Sequence, residues 1–452
     1  MATTIAALST APQTAGIHVI RISGDDSVKI LKKVFRPASN IEYFEHARMY
    51  YGHVMDNGVA LDEGYAVSFY NPKSYTGEDV VEIQCHGSSV MSARILKLIL
   101  ENGAQPAQPG EFTKRAFMNG KMDLIQAESV MDLLSATGAA ASKNAFEQLS
   151  GTLSASINKL KEHYIFVLAN IDVDIDFPEA DVEVVDRDML MLRLAEARQI
   201  TLDMLSSVDE GRVIKEGIKV AICGLPNAGK SSLLNTLIGS DRAIVTEIPG
   251  TTRDIIEESI IVNGVRVRLF DTAGIRDTED KVETIGIDRT RKLIKESDVA
   301  LVMLDGTIDT LGEDNKLLLE VTSGQKRIIA VNKSDIAKEL PILDQIKAMD
   351  GDIQIISAQT GEGIAQLKDR IYDLAMSSHG AEAVCLTNAR QIDCLKRSLT
   401  ALDNALSDML MAPLDIAGIS IREAYECILE LVGEAIDDSV INEIFMSFCL
   451  GK

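Results

Sequence analysis

No run of about eighteen apolar residues occurs in this 452-residue chain, so no segment has the length and hydropathy of a membrane-spanning helix. Met1 to Ser9 lacks both the basic start and the apolar stretch of a signal peptide. These absences predict a cytoplasmic protein with no membrane contact. The six cysteines, Cys85, Cys223, Cys385, Cys394, Cys427 and Cys449, contain no C-x-x-C pair, which leaves no pattern for a zinc cage or a disulfide framework and makes reduced thiols the expectation. Cationic excess is also missing. A net charge of -23 argues against non-specific nucleic-acid binding, which needs clustered cations to neutralise phosphates. The deficit is uneven, because residues 1–120 carry 11 Lys and Arg against 12 Asp and Glu, making this part the least repulsive to a polyanion.

What is present is an ordinary globular composition, 46 % hydrophobic and 25 % charged, in a chain long enough for several cores. Residues 1–120 read as mixed α/β, with strand-like runs at Ile17 to Ile22 and Val80 to Gln84 and helical spacing at Ser89 to Glu101. Residues 121–215 read as helical: Leu124, Ala127, Val130 and Leu133 recur at helical intervals, a long helix runs through Tyr164 to Ile171, and Pro178 breaks the pattern before another helix near Asp186. Residues 216–377 alternate apolar strands with helices, which predicts a parallel sheet covered by helices. Residues 378–452 turn helical again. The two helical stretches are expected to pack together, with the α/β part inserted between them.

The inserted part carries a nucleotide site. Gly224 to Ser231 match G-x-x-x-x-G-K-S between an apolar strand and an apolar helix. In that pattern the glycines let backbone N–H groups close on phosphates, Lys230 offsets the β and γ charges, and Ser231 ligates Mg²⁺. Asp271, Thr272, Ala273 and Gly274 end the next strand, where an acid holds the Mg²⁺ shell and a glycine N–H senses the γ-phosphate. Asn332, Lys333, Ser334 and Asp335 follow a further strand, and a carboxylate there accepts from N1–H and the 2-amino group of guanine, neither of which adenine offers. Ser357 and Ala358 complete the base pocket. Four motifs in this order predict GTP as the ligand. The residue after Gly274 is Ile275, which cannot orient water as a glutamine would. Hydrolysis then needs a nearby acid, an added cation or a partner, with the acids between Asp277 and Glu283 and the cations Arg253 and Arg276 as candidates.

Asn227 in the phosphate loop, the stretch Ala243 to Asp254, Asp271 to Arg276 with Glu283, and the final Phe448-Cys-Leu-Gly-Lys452 together resemble the MnmE (TrmE) tRNA-modification GTPases. The segments Ile20 to Gly24, Ser74 to Asp79, Pro109 to Phe117 and Asn119 to Glu128 are similar to that family too, so the resemblance spans essentially the whole chain. It implies a multidomain α/β and all-α protein: an N-terminal α/β domain for tetrahydrofolate binding and dimerisation, a central helical domain, and an inserted Ras-like P-loop GTPase domain. It further implies a K⁺-stimulated homodimer whose nucleotide contacts run through Asn227, Ala228, Gly229, Lys230, Ser231 and Ser232, and through Thr246, Glu247, Ile248, Pro249, Gly250, Thr251 and Thr252. Asn227, Thr246, Ile248 and Thr251 would hold K⁺, Thr252 would join Ser231 on Mg²⁺, and Glu283 would orient the attacking water.

The same resemblance implies a 5-formyl or methylene tetrahydrofolate bound by Arg21, Glu82, Lys121 and Lys452, an FAD-dependent partner of the MnmG (GidA) kind, and tRNA as substrate. The product would carry an aminomethyl-type group at C5 of the wobble uridine. Cys449 does not fit a prenylation signal, because Gly451 is not aliphatic and Lys452 is a poor last residue. A cysteine after an apolar Phe448 is in general a buried structural residue, whereas the resemblance makes it necessary for tRNA modification. Leu225, Cys85 and Gln13-Thr14-Ala15 depart from the family pattern, the last two within the folate-type region. A ribosome-assembly or regulatory GTPase would share the nucleotide motifs, but it has no reason to carry the N-terminal signatures and the Phe448 to Lys452 tail.

Overall fold

A computed structural model describes residues 3–176, 186–241, 257–271, 291–337, 339–347, 351–376 and 384–451. The chain forms two compact units, one from Met1–Met131, Gln148–Ala197 and Arg397–Lys452, the other from Asp132–Glu147 and Arg198–Lys396.

The first unit begins with β1 (Ile5–Leu8), β2 (Ile17–Ser23), α1 (Ser27–Val34), β3 (Phe35–Pro37), β4 (Met49–Asp56), β5 (Val59–Phe69), β6 (Val80–His86), α2 (Ser89–Glu101) and β7 (Gln105–Pro106). The strands make one sheet in the order β3-β4-β5-β6-β2-β1-β7. Alternation decides what each face carries. Ile20 and Ile22 of β2 and Val81 and Ile83 of β6 are fully buried against Ile30 and Leu31 of α1 and Ile95 and Ile99 of α2. Arg21 and Glu82 therefore fall on the opposite face, where the antiparallel β2–β6 register sets them side by side.

The chain continues through α3 (Glu111–Met118), α4 (Leu124–Ser135), α5 (Ala139–Leu149), α6 (Thr152–Asp176) and α7 (Arg187–Ser206); α3 and α6 belong to this unit, α4 and α7 run from it into the second, and nearly all of α5 belongs to the second. The returning chain adds α13 (Ala389–Met411), α14 (Leu414–Val432) and α15 (Asp438–Met446). The two helical stretches do pack, α6 lying along α14. Tyr164 of α6 is fully buried, and its hydroxyl lies 3.1 Å from Ser398 Oγ of α13, which donates in turn to the Ala424 carbonyl of α14 at 3.0 Å. A buried hydroxyl relay of this kind leaves each polar atom partnered and fixes three helices in one register.

In the second unit α8 (Val208–Glu216) leads into β8 (Ile218–Gly224), followed by α9 (Lys230–Asp241), β9 (Glu257–Val262), β10 (Val265–Asp271), β11 (Val299–Asp305), α10 (Glu313–Val321), β12 (Arg327–Asn332), α11 (Leu343–Ile346), β13 (Asp352–Ile355) and α12 (Ile364–Ala375). The sheet order is β13-β12-β11-β8-β10-β9, parallel except for β9. Helices cover both faces, as alternate residues show: Leu301 and Met303 of β11 pack with Leu233 and Leu367, while Val302 and Leu304 pack with Leu319 and Ile346. The antiparallel edge strand is an addition to the expected sheet. Asn263 and Gly264 both take positive φ, 49° and 80°, forming a two-residue turn too short for a crossover.

That turn is seated. The Gly264 carbonyl accepts from Ala140 N–H in the first turn of α5 at 3.0 Å, and a methyl group on Gly138 would overlap it. Farther along α5, buried Asn144 donates Nδ2 to the Cys385 carbonyl at 3.1 Å and accepts the Cys385 N–H at 2.8 Å. Burial pushes the Cys385 thiol up to about 11, so it stays protonated. Asn144→Ala removes both partners of a buried peptide unit and should cost about 2–4 kcal/mol. Urea denaturation followed by circular dichroism should show a lower midpoint for the transition of this unit, and an unchanged midpoint would contradict the assignment.

Candidate nucleotide-binding site

Parallel strands bring their carboxyl ends to one edge, where ligands of such sheets bind. Gly224, Asp305 and Asn332 end β8, β11 and β12 there, and the backbone of Asp271 ends β10 opposite Ile222 of β8. The phosphate loop leaves β8 and turns into α9 through Asn227 at φ 66° and Gly229 at φ 99°. Lys230 is buried, and its ammonium closes the loop from inside, donating to the carbonyls of Gly224 at 2.7 Å and Leu225 at 3.0 Å. Ser231 and Ser232 stand exposed in the first turn of α9, at the positive end of the helix.

Asn332 is the centre of the site. Its side chain is buried, donating Nδ2 to the Ala228 carbonyl at 2.8 Å and accepting Ala358 N–H on Oδ1 at 2.9 Å. The sequence marks this residue as part of the guanine motif; the structure shows it bracing the phosphate loop against the base-pocket loop. A methyl group on Gly229 would overlap Asn332 Nδ2, so the second glycine of the loop is required by this brace and by its own φ. Ser357 is fully buried two residues beyond β13, donates Oγ to Asp335 Oδ1 at 2.6 Å and accepts Thr360 N–H at 3.1 Å. Asp335 itself is exposed, its carboxylate aimed by that hydroxyl. Thr236 of α9 adds a bond to the Ala358 carbonyl at 2.7 Å.

One residue here is absent from the sequence reading. Asp305 Oδ2 lies 2.6 Å from Lys333 Nζ, and Oδ1 accepts from Thr307 N–H at 3.0 Å and Thr307 Oγ1 at 2.7 Å. Burial alone would raise its pKa, but the hydrogen bonds from Lys333 and Thr307, with the lysine charge, hold the carboxyl below the usual carboxylate range. An acid directly after an apolar strand, followed by glycine, was the available signal. Thr246, Glu247, Ile248, Pro249, Gly250, Thr251, Thr252, Arg253, Thr272, Ala273, Gly274, Arg276, Glu283 and Lys452 lie outside the described residues.

A second polar cluster sits in the first unit. Arg21 is bound to Glu82 Oε1 through Nε at 2.9 Å and Nη2 at 2.8 Å, and its guanidinium stands 5.1 Å from the Tyr75 ring centroid and 5.6 Å from that of Phe112. Its Nη1 is buried without a hydrogen-bond partner. Beside it, Glu78 accepts from Ser23 Oγ at 2.7 Å and from Arg115 at 3.0 Å, an acid–base pair within the Ser74 to Asp79 and Pro109 to Phe117 signatures that the sequence reading did not single out. Lys121 donates to the Pro72 carbonyl at 3.0 Å, apart from the Arg21–Glu82 pair in its bonding.

The C-terminal tail reaches this unit's β1. Ser9 Oγ donates to the Gly451 carbonyl at 3.1 Å and Gly110 N–H to the Cys449 carbonyl at 3.3 Å. Gly451, at φ 88°, lies so close to the Leu8 carbonyl that a methyl group would overlap it. The tail is thus held by its backbone, and the Cys449 side chain is exposed while the other five cysteines are buried. The general expectation of a buried cysteine fails here because the glycines on either side of the contact, not the thiol, make the packing.

Comparison with known proteins gives matches over the same stretches. The family description "GTP-binding protein TrmE N-terminus" matches residues 4–121, and "MnmE helical domain" matches residues 124–449. The tRNA modification GTPase MnmE of Natranaerobius thermophilus is 41% identical, covering 99% of this chain and 99% of its own. Those of Geobacter sulfurreducens and Lactiplantibacillus plantarum are each 42% identical, covering 99% of this chain and 99% and 98% of theirs. Aligned end to end with these relatives and matched by both family descriptions, the chain belongs to the MnmE (TrmE) family.

Proposed function

We propose that this chain hydrolyses GTP and, with an FAD-dependent partner of the MnmG kind, serves the addition of a carboxymethylaminomethyl or aminomethyl group at C5 of the wobble uridine of certain tRNAs. The observation that carries the reading is the single site built by Asn332, which joins the phosphate loop to the guanine-reading turn in a chain aligned end to end with tRNA modification GTPases. In this reading residues 1–120 form the folate-binding and dimerisation domain, 121–215 and 378–452 the helical domain, and 216–377 the GTPase domain of a cytoplasmic homodimer.

The described residues fit the implied ligands in part. For Mg²⁺, Ser231 offers an exposed hydroxyl at the first turn of α9; bound there, the ion would neutralise charge between β- and γ-phosphates. For K⁺, Asn227 is exposed on the phosphate loop, and positive charge beside the phosphates would serve where Ile275 cannot orient water. Lys230 stabilises phosphate charge, and Glu283 is the proposed water-orienting acid. For a tetrahydrofolate derivative, the unused Arg21 Nη1 beside two aromatic rings suits a planar ligand with an acceptor, and the neutral Arg21–Glu82 pair presents donor and acceptor together. Lys121 and Lys452 would complete that pocket, with Cys449 acting in the modification itself.

Gly229→Ala should weaken GTP binding about tenfold or more, since the loop must move off Asn332; titration with a fluorescent GTP analogue measures it, and unaltered affinity would show that the brace is dispensable. GTP hydrolysis in K⁺ against Na⁺ at equal ionic strength should show a K⁺-specific stimulation that Asn227→Ala abolishes, whereas equal rates would leave a GTPase without the cation mechanism. Cys449→Ser should leave GTP hydrolysis within about twofold, because the tail is held by backbone bonds, and should abolish modified uridine in tRNA assayed by mass spectrometry. Normal modification would reduce Cys449 to a packing residue.

A further inference from the structure

We propose that Asp305 is a positioning residue for guanine-nucleotide binding, fixing Lys333 and through it the Asn332–Asp335 turn that presents Asp335 to the base. The inference rests on the GTP reading above and adds a residue that none of the nucleotide motifs contains. Lys333 has φ 70°, a left-handed conformation that a lysine disfavours because its Cβ crowds the following carbonyl. Something outside the turn must keep it there. Two contacts come from the end of β11: the Asp305 carboxylate takes the Lys333 ammonium at 2.6 Å, and Gly306 N–H donates to the Asn332 carbonyl at 2.8 Å. The close approach requires glycine at 306, where a Cβ would lie 2.6 Å from that carbonyl.

The carboxylate is itself held. Thr307 supplies two donors to Oδ1, leaving Oδ2 for the lysine, so neither oxygen is free to rotate away. Lys333 and Asp305 side chains are only 29% and 23% exposed, which separates this pair from the screened surface ion pairs that contribute little. The turn then continues through Ser334 N–H, bonded to the Ile356 carbonyl at 3.2 Å, to Asp335 and its Ser357 partner. Position 305 thus governs the first half of the turn, and Ser357 the second.

The test uses the full chain with Asp305→Ala, Asp305→Asn and Asp305→Glu. Dissociation constants for fluorescent GDP and for GTP should rise about tenfold in the alanine variant, with partial recovery in the glutamate variant. The rate at saturating GTP should stay within about twofold, a KM effect without a kcat effect. Discrimination between GTP and ITP, which lacks the 2-amino group, should narrow; a merely structural defect lowers the active fraction and leaves that ratio alone. Lys333→Ala should remove the effect of Asp305→Ala in a double-mutant cycle. Affinities within about twofold of the parent, or additive losses in the cycle, would overturn the proposal. A parent protein that binds no guanine nucleotide would overturn the GTP reading and this inference with it, which is a different result from a parent that binds GTP and an indifferent Asp305 variant.

Discussion

The side-chain amide of Asn332 is the constraint on which the nucleotide site depends. An amide buried away from water is tolerated only when both its ends are bonded, and here one end holds the phosphate loop at Ala228 while the other holds the base-pocket loop at Ala358. Segments 104 and 26 residues away from Asn332 in the chain are fixed by one planar group. The arrangement also dictates neighbours. Gly229 must lack a side chain to let the amide in, and Thr236 on α9 ties the Ala358 carbonyl to the helix that begins at Lys230. The sheet makes the brace possible, because β8, β11 and β12 are parallel and adjacent and so end at a single edge.

The first unit uses the same economy of backbone contact at its tail. Gly110 opens α3 at φ 68°, and a Cβ there would lie 2.9 Å from that of Phe448, while Gly451 touches the end of β1. The Phe445 and Phe448 rings, 5.0 Å apart, fill the space beside Leu124 and Ala127. Signatures at positions 109–117 and 448–451 thus belong to one contact, and the exposed thiol of Cys449 is carried by a segment whose apolar and glycine residues do the fixing.

The alternating order of the strands was legible in the sequence, and so were the candidate phosphate-loop and base-loop residues, because phosphate chemistry demands particular residues at fixed offsets along one chain. Less was legible where partners come from distant segments. The alternation of β2 places Arg21 on an outer face, yet only the register with β6 makes Glu82 its partner, sixty-one residues away. Asn332 was legible as a motif member but not as a brace, since Ala228 and Ala358 contribute backbone groups that any residue has. Asp305 lies outside every motif, and its meaning depends on the backbone conformation of Lys333. The edge strand β9 was within reach: Asn263-Gly264 between two apolar runs is the usual mark of a hairpin, overlooked because the surrounding alternation of strand and helix suggested crossovers.

That hairpin connects the two ends of the second unit. One end of β10 is Asp271, paired across to Ile222 beside the phosphate loop; the other is the Gly264 turn, whose carbonyl is bonded to the first turn of α5. A two-stranded ribbon whose residues are paired from Val265 to Phe270 is stiff along its length. Its outer end has no slack, with Gly138 in contact on one side and Arg266, whose carbonyl lies 2.7 Å from a Cβ on Gly217, on the other. Movement of β10 along its axis must therefore displace the first turn of α5 or break the Ala140–Gly264 bond, and α5 is clamped through Asn144 to the segment by which the chain leaves the sheet. The nucleotide edge and the helical connection are joined by packing that has few alternative arrangements, because each close approach, Gly138 to Gly264 and Gly217 to Arg266, has a glycine on at least one side with no room for a Cβ.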